Sequence, residues 1–223
     1  MSNLPQRTAQ PASASPPAPA VKAEPADAEV LSQVIADAFC DLPPSQWLIP
    51  DQAARREIFP GYFRIYVEHA MASGIVHTTA DRAAAALWLP SGESAAGPPP
   101  GYGEQLAAAT GRWTDRFRSF DATLDQHHPV GAAHHYLAIL AVRPDSQGNG
   151  TGSLLLRAYH DMLDSCSTPA YLEAATERTT RLYQRHGYAV RPRAPFYLPD
   201  SGPPMWPMWR EPQRRHATGG SSS

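Results

Sequence analysis

The stretch from His135 to Leu156 constrains the fold most. Residues 135–142, His-Tyr-Leu-Ala-Ile-Leu-Ala-Val, form a near-continuous apolar run. Arg143-Pro144-Asp145-Ser146 follows, then Gln147-Gly148-Asn149-Gly150-Thr151-Gly152, then Ser153-Leu154-Leu155-Leu156. A run without polar alternation suits a strand buried on both faces. Pro144 and Asp145 stop it, and the glycines carry the chain into a helix start. Such a loop sets several backbone N–H groups side by side at the positive end of the helix, where they hold an anion. The spacing therefore predicts a strand, an anion-binding turn and a helix, and it points to a phosphorylated ligand.

Two common phosphate-binding patterns fail. A Walker loop needs Lys-Ser/Thr after its second glycine, and no lysine follows here. The dinucleotide pattern G-x-G-x-x-G fails because the glycines fall at 148, 150 and 152. The pattern Q/R-x-x-G-x-G/A fits, through Gln147, Gly150 and Gly152. Leu140-Ala141-Val142-Arg143-Pro144 is similar to an L-x-V-x-P strand ending. Tyr171-Leu172-Glu173-Ala174-Ala175 is similar to a fifth strand, and Leu182-Tyr183-Gln184-Arg185-His186-Gly187-Tyr188 to an x-Y-x-x-x-G-F/Y element. With these motifs in this order, the sequence resembles the GNAT superfamily of acetyl-CoA-dependent N-acetyltransferases, most closely in its C-terminal half.

The resemblance implies an α/β GNAT fold: a mixed, mostly antiparallel central sheet flanked by helices and splayed between its fourth and fifth strands. The splay leaves a slot for the pantetheine arm of acetyl-CoA. The resemblance further implies that backbone N–H groups of Gln147, Gly148, Asn149, Gly150, Thr151, Gly152 and Ser153 hold the pyrophosphate. Leu140, Ala141 and Val142 would offer backbone groups to pantetheine, and Thr179, where the family carries Asn, would touch the cofactor. Tyr183 matches the family's tyrosine and is implied as general acid to the coenzyme A sulfur. A tight αβ turn and a buried packing tyrosine are the structural alternatives for the loop and for Tyr183. Glu173 ends a strand beside the slot. The resemblance makes it a candidate base acting through water, and an ion pair with Arg178 or Arg181 is the alternative.

Acetyl transfer needs a neutral amine. An alkylamine with pKa near 10.4 is about 0.1% neutral at pH 7.4, while an α-amine near 7.8 is about a quarter neutral, so a base matters more for the first. The acceptor read from the resemblance is a primary amine on a small molecule, such as an aminonucleoside or another antibiotic. Protein or peptide amines form the alternative acceptor, and a non-catalytic acyl-CoA-binding module the alternative function. The segments around Trp47, the hairpin to Trp88 and Pro98-Pro99-Pro100 are the expected acceptor walls, with a core or rim role as the alternative for Trp47 and Trp88 themselves, and His135 is a further candidate for the pocket.

The rest of the chain bounds these readings. Its 223 residues suffice for one domain, with a net charge of −2 that gives no reason to expect nucleic acid or an anionic membrane. Cys40 and Cys166 are isolated, so neither a disulfide framework nor a zinc site is implied. Without an 18-residue apolar run or a signal-like start, the expectation is a cytoplasmic monomer or homodimer. The doublets His127-His128 and His134-His135 tempt a metal reading. Adjacent strand residues point to opposite faces and no acidic or cysteine partner has ligand spacing, so no metal is expected.

Residues 1–20, rich in Pro, Ala and Ser, and residues 213–223 read as disordered tails flanking an acetyltransferase domain at 21–212. Within it, Ala20–Glu24 is a weak first strand. Asp27 is placed to cap a helix whose Val30, Leu31, Val34, Ile35 and Phe39 share a face, ended by Asp41-Leu42-Pro43-Pro44. A helix from Asp51 to Ser73 is expected to kink or break at Pro60-Gly61. A hairpin spans residues 75–89. Two short helices follow the Pro90–Pro100 loop, then the central strand, a helix over 152–164, a strand over 170–175, a helix closed by Gly187, and two last strands.

Overall fold

The computed structural model describes residues 17–92, 95 and 97–213; the two expected tails, apart from residues 17–20 and 213, lie outside the described residues. Strands β1 (Ala20–Lys22), β2 (Ile75–Thr79), β3 (Ala84–Ser91), β4 (His134–Val142), β5 (Ala170–Ala174), β6 (Ala189–Val190) and β8 (Pro204–Arg210) lie in one sheet in the order β1-β2-β3-β4-β5-β8-β6. β7 (Phe196–Tyr197) pairs with β8. Helices α1 (Ala28–Phe39), α2 (Pro43–Leu48), α3 (Gln52–Ser73), α4 (Tyr102–Thr110) and α5 (Thr114–His127) precede β4, and α6 (Thr151–Ser165) and α7 (Glu177–Gln184) follow it. Every strand pairing is antiparallel except β4 with β5. The sheet separates two cores. Leu31, Ile35, Phe59, Phe63 and Val67 of α1 and α3 pack on one face, and Leu155, Leu156, Tyr159 and Leu163 of α6 on the other. This is the mixed, mostly antiparallel α/β architecture expected.

The parallel pair is short. β4 meets β5 only at His135↔Ala170 and Tyr136↔Tyr171, then the strands part. From Leu137 to Val142, β4 is paired on its β3 side alone. The expected splay between the fourth and fifth strands is this parting.

β4 also carries an irregularity that its apolar sequence conceals. Leu87 pairs with Ile139 and Trp88 with Leu137, so Ala138 is an extra residue opposite β3. The extra residue reverses the side-chain parity. Leu137 faces α6 before it and Ile139 and Ala141 face α1 and α3 after it, while Leu140 and Val142 turn to α6. Burial then alternates: Leu137, Ile139 and Ala141 are buried, whereas Ala138, Leu140 and Val142 are partly exposed. The expectation of a strand buried on both faces is therefore corrected, because the splay opens one end of β4 to the slot.

Local chemistry corrects three further expectations. Asp27 precedes α1 without capping it by its side chain; its carboxylate instead accepts from the Glu24 N–H and from Arg82 Nε at 2.9 Å. Val30 is 42% exposed and leaves the apolar face of α1. As expected, α1 has ended before Asp41-Leu42-Pro43-Pro44, and the two prolines also open α2, where a proline in the first turn loses no helical hydrogen bond. α3 runs through Pro60 as one helix, with Asp51 Oδ1 accepting from Ala53 N at 2.9 Å as its cap. At the far edge, Arg210 forks onto both oxygens of Asp164 at 2.7 and 2.8 Å and ties β8 to the end of α6.

Candidate active site

The loop before α6 takes its shape from glycine. Gly148 and Gly150 both have φ +84, the left-handed region that other residues enter only with strain. Gly150 is the N-cap of α6 and offers no side chain, so the first N–H groups of the helix are left to whatever approaches. Gln147 turns its side chain back and donates to the Val142 carbonyl at 3.0 Å, fastening the loop to the end of β4. At Gly152 a Cβ would stand 3.8 Å from Leu140, Val142 and Leu182, so the helix start packs close to the strand. Ser153 Oγ lies 2.8 Å from His186 Nε2, which joins the loop to the end of α7. The structure thus brings Leu140, Val142 and residues 147–153 together at one mouth of the splay. Exposed N–H groups at a helix start fit a phosphate group there.

Below the splay lies a cavity of about 190 Å³. Leu137, Ala138, Ile139 and Leu140 of β4, with Glu173 and Ala175, form its sheet wall, and Thr179 and Tyr183 of α7 line it from one side. The opposite wall comes from Phe39, Leu42, Pro44, Ser45 and Leu48 around α2, Phe59, Tyr62, Phe63 and Tyr66 of α3, and Phe120 and Leu124 of α5. Among the described residues that line it there is no arginine, lysine or histidine, and Glu173 is the only carboxylic acid.

Glu173 is held in place. Its Oε2 accepts from the Tyr136 hydroxyl at 2.8 Å, and its Oε1 is buried without a hydrogen-bond partner. Burial pushes its pKa up to about 7, and the Tyr136 donation offsets that only in part. The alternative of an ion pair with Arg178 or Arg181 does not form; neither is its partner. Tyr183 is 7% exposed, and burial pushes its hydroxyl well above the ordinary value near 10. Thr179 lines the same cavity, but its hydroxyl donates to the Thr176 carbonyl at 2.8 Å and accepts from Thr176 N at 3.2 Å in the capping box of α7.

The expected acceptor walls are different residues. Trp88 is fully buried on the other face of the sheet, stacked on Tyr159 at 4.4 Å, while its neighbour Leu89 reaches the cavity. His135 also faces α6, with Nδ1 2.7 Å from the Tyr159 hydroxyl. Trp47 donates to the Pro199 carbonyl at 3.1 Å and sits under Arg116, outside the cavity wall, and Pro98-Pro99-Pro100 does not line it. Strand alternation sends Trp88 and Leu89 to opposite faces, so the larger side chain of the hairpin belongs to the other core.

Two arrangements have no local sequence signal. His128 and His134, one from each doublet, meet with Nε2 atoms 3.1 Å apart and pack against Tyr171. Burial holds His128 neutral, with its pKa lowered to about 4. No group of three or more His, Cys, Asp or Glu among the described residues could hold a metal ion. Across the cavity, Tyr62, Tyr66, Tyr102 and Asp121 form a chain of hydrogen bonds drawn from three helices.

Comparison with known proteins agrees with this geometry. Residues 101–190 match the model of the acetyltransferase (GNAT) domain. A structure from Corynebacterium glutamicum, of histone acetyltransferase HPA2 and related acetyltransferase, superposes with a TM-score of 0.67 at 23% identity, covering 89% of this chain and 98% of that one. Arylalkylamine N-acetyltransferase 2 from Aedes aegypti superposes with a TM-score of 0.61 at 11% identity, covering 87% and 98%. A GCN5-related N-acetyltransferase structure from Rhodopseudomonas palustris reaches 0.53 at 12% identity, covering 88% and 96%. Residues 101–190 thus resemble a GNAT acetyltransferase domain, and the sheet and helices of the chain follow the GNAT fold.

Proposed function

We propose that the chain transfers an acetyl group from acetyl-CoA to the primary amine of a small molecule. The observation that carries this reading is the buried, cation-free cavity that opens from the β4–β5 splay and ends on the Glu173 carboxylate. Acetyl-CoA, bound in the splay, supplies the acetyl group as an activated thioester. The N–H groups from Gly148 to Ser153 would hold its pyrophosphate, and the unpaired edge at Leu140, Ala141 and Val142 would take the pantetheine arm.

The chain's own residues then handle protons. Glu173 Oε1, free of partners and poised near neutral pH, accepts a proton from the incoming ammonium, directly or through one water. Tyr183 keeps its proton at neutral pH and donates a hydrogen bond to the departing sulfur. Its raised pKa makes full proton transfer harder than for an exposed phenol, so stabilisation by the hydrogen bond carries more of the effect. The walls of Phe39, Phe59, Phe63 and Phe120 exclude water and strengthen the pull of Glu173 on an amine.

An aromatic cavity of this size suits a compact amine better than an extended peptide, whose backbone would need many partners. The narrower form of the proposal is an aminonucleoside or another amine-bearing antibiotic, since residues 21–210 also resemble puromycin N-acetyltransferase. The test is thiol release from acetyl-CoA with small aromatic and aliphatic amines beside lysine peptides and N-terminal peptides. Higher kcat/KM for the small amines supports the reading; higher kcat/KM for the peptides overturns the choice of acceptor.

A further inference from the structure

The hydroxyl chain on the far wall has a direction. Tyr102 donates its only hydroxyl hydrogen to Asp121 Oδ2 at 2.7 Å. At its 2.7 Å contact with Tyr66, Tyr102 therefore accepts, and Tyr66 donates. Tyr62 in turn donates to Tyr66 at 3.3 Å. All three hydrogens point toward Asp121, which stands behind the wall as an ionised, half-buried carboxylate; burial raises its pKa only to about 6. Tyr62 and Tyr66 line the cavity, whereas Tyr102 and Asp121 do not. Tyr62, 4% exposed, has thus given away its hydrogen and keeps only oxygen lone pairs. An oxygen in that state can still accept a hydrogen bond on its remaining lone pairs, and no bond of that kind to Tyr62 forms among the described residues.

A second acceptor belongs to Glu173, which lines the same cavity. Glu173 Oε1 is an acceptor without a partner. The pocket therefore offers two acceptors set in aromatic walls and no cationic side chain. We infer that the acceptor molecule is an amine with a second hydrogen-bond donor, a hydroxyl or another amine, that is received by Tyr62 at the end of the Tyr66–Tyr102–Asp121 chain. The inference deepens the proposed acetyl transfer and rests on it for the place of the reacting amine. It sets the substrate class as amino alcohols, aminophenols or diamines, and it excludes plain alkyl and arylalkyl amines as good substrates.

Matched pairs test it on the full-length protein with coenzyme A present. Tyramine is compared with its 4-methyl and 4-methoxy counterparts, and ω-amino alcohols of three to six carbons with the n-alkylamines in which methyl replaces the hydroxyl. Calorimetry gives binding, and thiol release from acetyl-CoA gives turnover. The hydroxyl member of at least one set should bind about tenfold or more tightly, the size of one hydrogen bond to a buried acceptor. Tyr62→Phe should bring that ratio below about threefold, and Asp121→Asn should lower it as well, by removing the charge that orients the chain. Ratios near one in the wild type, a preference that survives Tyr62→Phe, or no binding by any amine overturns the inference. A binding preference without thiol release upholds the second subsite and overturns acetyl transfer; release without preference does the reverse. Should Tyr62→Phe fold poorly, Tyr66→Phe breaks the chain one hydroxyl further on and must give the same loss of preference.

Discussion

The Tyr136 hydroxyl donates to Glu173 Oε2 at 2.8 Å and leaves Oε1 of that carboxylate buried and unpaired on the cavity. Tyr136 and Tyr171 are paired residues in the last rung shared by β4 and β5, and Glu173 lies two residues further along β5, where the strands have already parted. The tyrosine is thus placed by the sheet, and the glutamate by the opening that follows it.

Removing that donor should move a pH profile. A hydrogen bond to the carboxylate favours its ionised form, so Tyr136→Phe should raise the apparent pKa of the acid limb of kcat/KM from near 7 by about one unit. A weakly basic amine keeps the ionisation of the substrate outside this window. A profile that does not move, or moves to lower pH, would remove Glu173 from the role of base.

Glu173 should also be costly to the fold. Its carboxyl is raised in the folded protein to about 7 from an ordinary 4.5, so the protonated form is favoured on folding. Stability from this group is complete below pH 4.5 and is lost as pH rises through 7. Glu173→Gln should therefore be more stable than the wild type by about 1–3 kcal/mol at pH 8, with the gain vanishing near pH 4.5. Urea unfolding at the two pH values checks this; an equal difference at both would mean that the carboxyl is solvated.

At the anion loop, Gly150→Glu brings negative charge to the mouth of α6 and should weaken acetyl-CoA binding about a hundredfold or more by calorimetry. Gly150 has φ +84 and no atom within 4 Å of a built Cβ, so strain and not crowding is the confounding effect. Gly150→Asn separates the two, because asparagine tolerates the left-handed region. It should keep affinity within a few-fold, and an equal loss in both variants would trace the effect to the backbone.

Tyr183→Phe keeps the ring in the cavity and removes its hydroxyl. Acetyl-CoA affinity should hold while kcat falls about 10- to 1000-fold. An unchanged kcat under conditions where chemistry limits turnover would leave Tyr183 as packing for α7.

The geometry of the glycine loop and of α7 was legible in the sequence because it is local. Gln147, Gly150 and Gly152 lie within six residues, and Tyr183 stands one helical turn from Thr179, so each arrangement follows from short-range geometry. The wall of the cavity was not legible. It is gathered from α1, α2, α3 and α5, and the chain of Tyr62, Tyr66, Tyr102 and Asp121 spans three helices with no repeating spacing. The extra residue at Ala138 reverses which side chains of β4 face the cavity, and an unbroken apolar run carries no mark of such a bulge. Chain position offers His135 to the pocket, whereas strand parity sends it to α6, and Trp88 takes the core role that was its alternative.

The most direct test of the central claim, that the cavity below the β4–β5 splay acetylates a small amine, is thiol release from acetyl-CoA at pH 8 with and without such an amine. It is to be followed in the wild type and in Glu173→Gln, with the acylated amine identified by mass. The account predicts release that depends on the amine, a product heavier by one acetyl group, and a kcat/KM at least about tenfold lower in Glu173→Gln. Tight acetyl-CoA binding with no amine-dependent release, or a kcat/KM unchanged by Glu173→Gln, would contradict it.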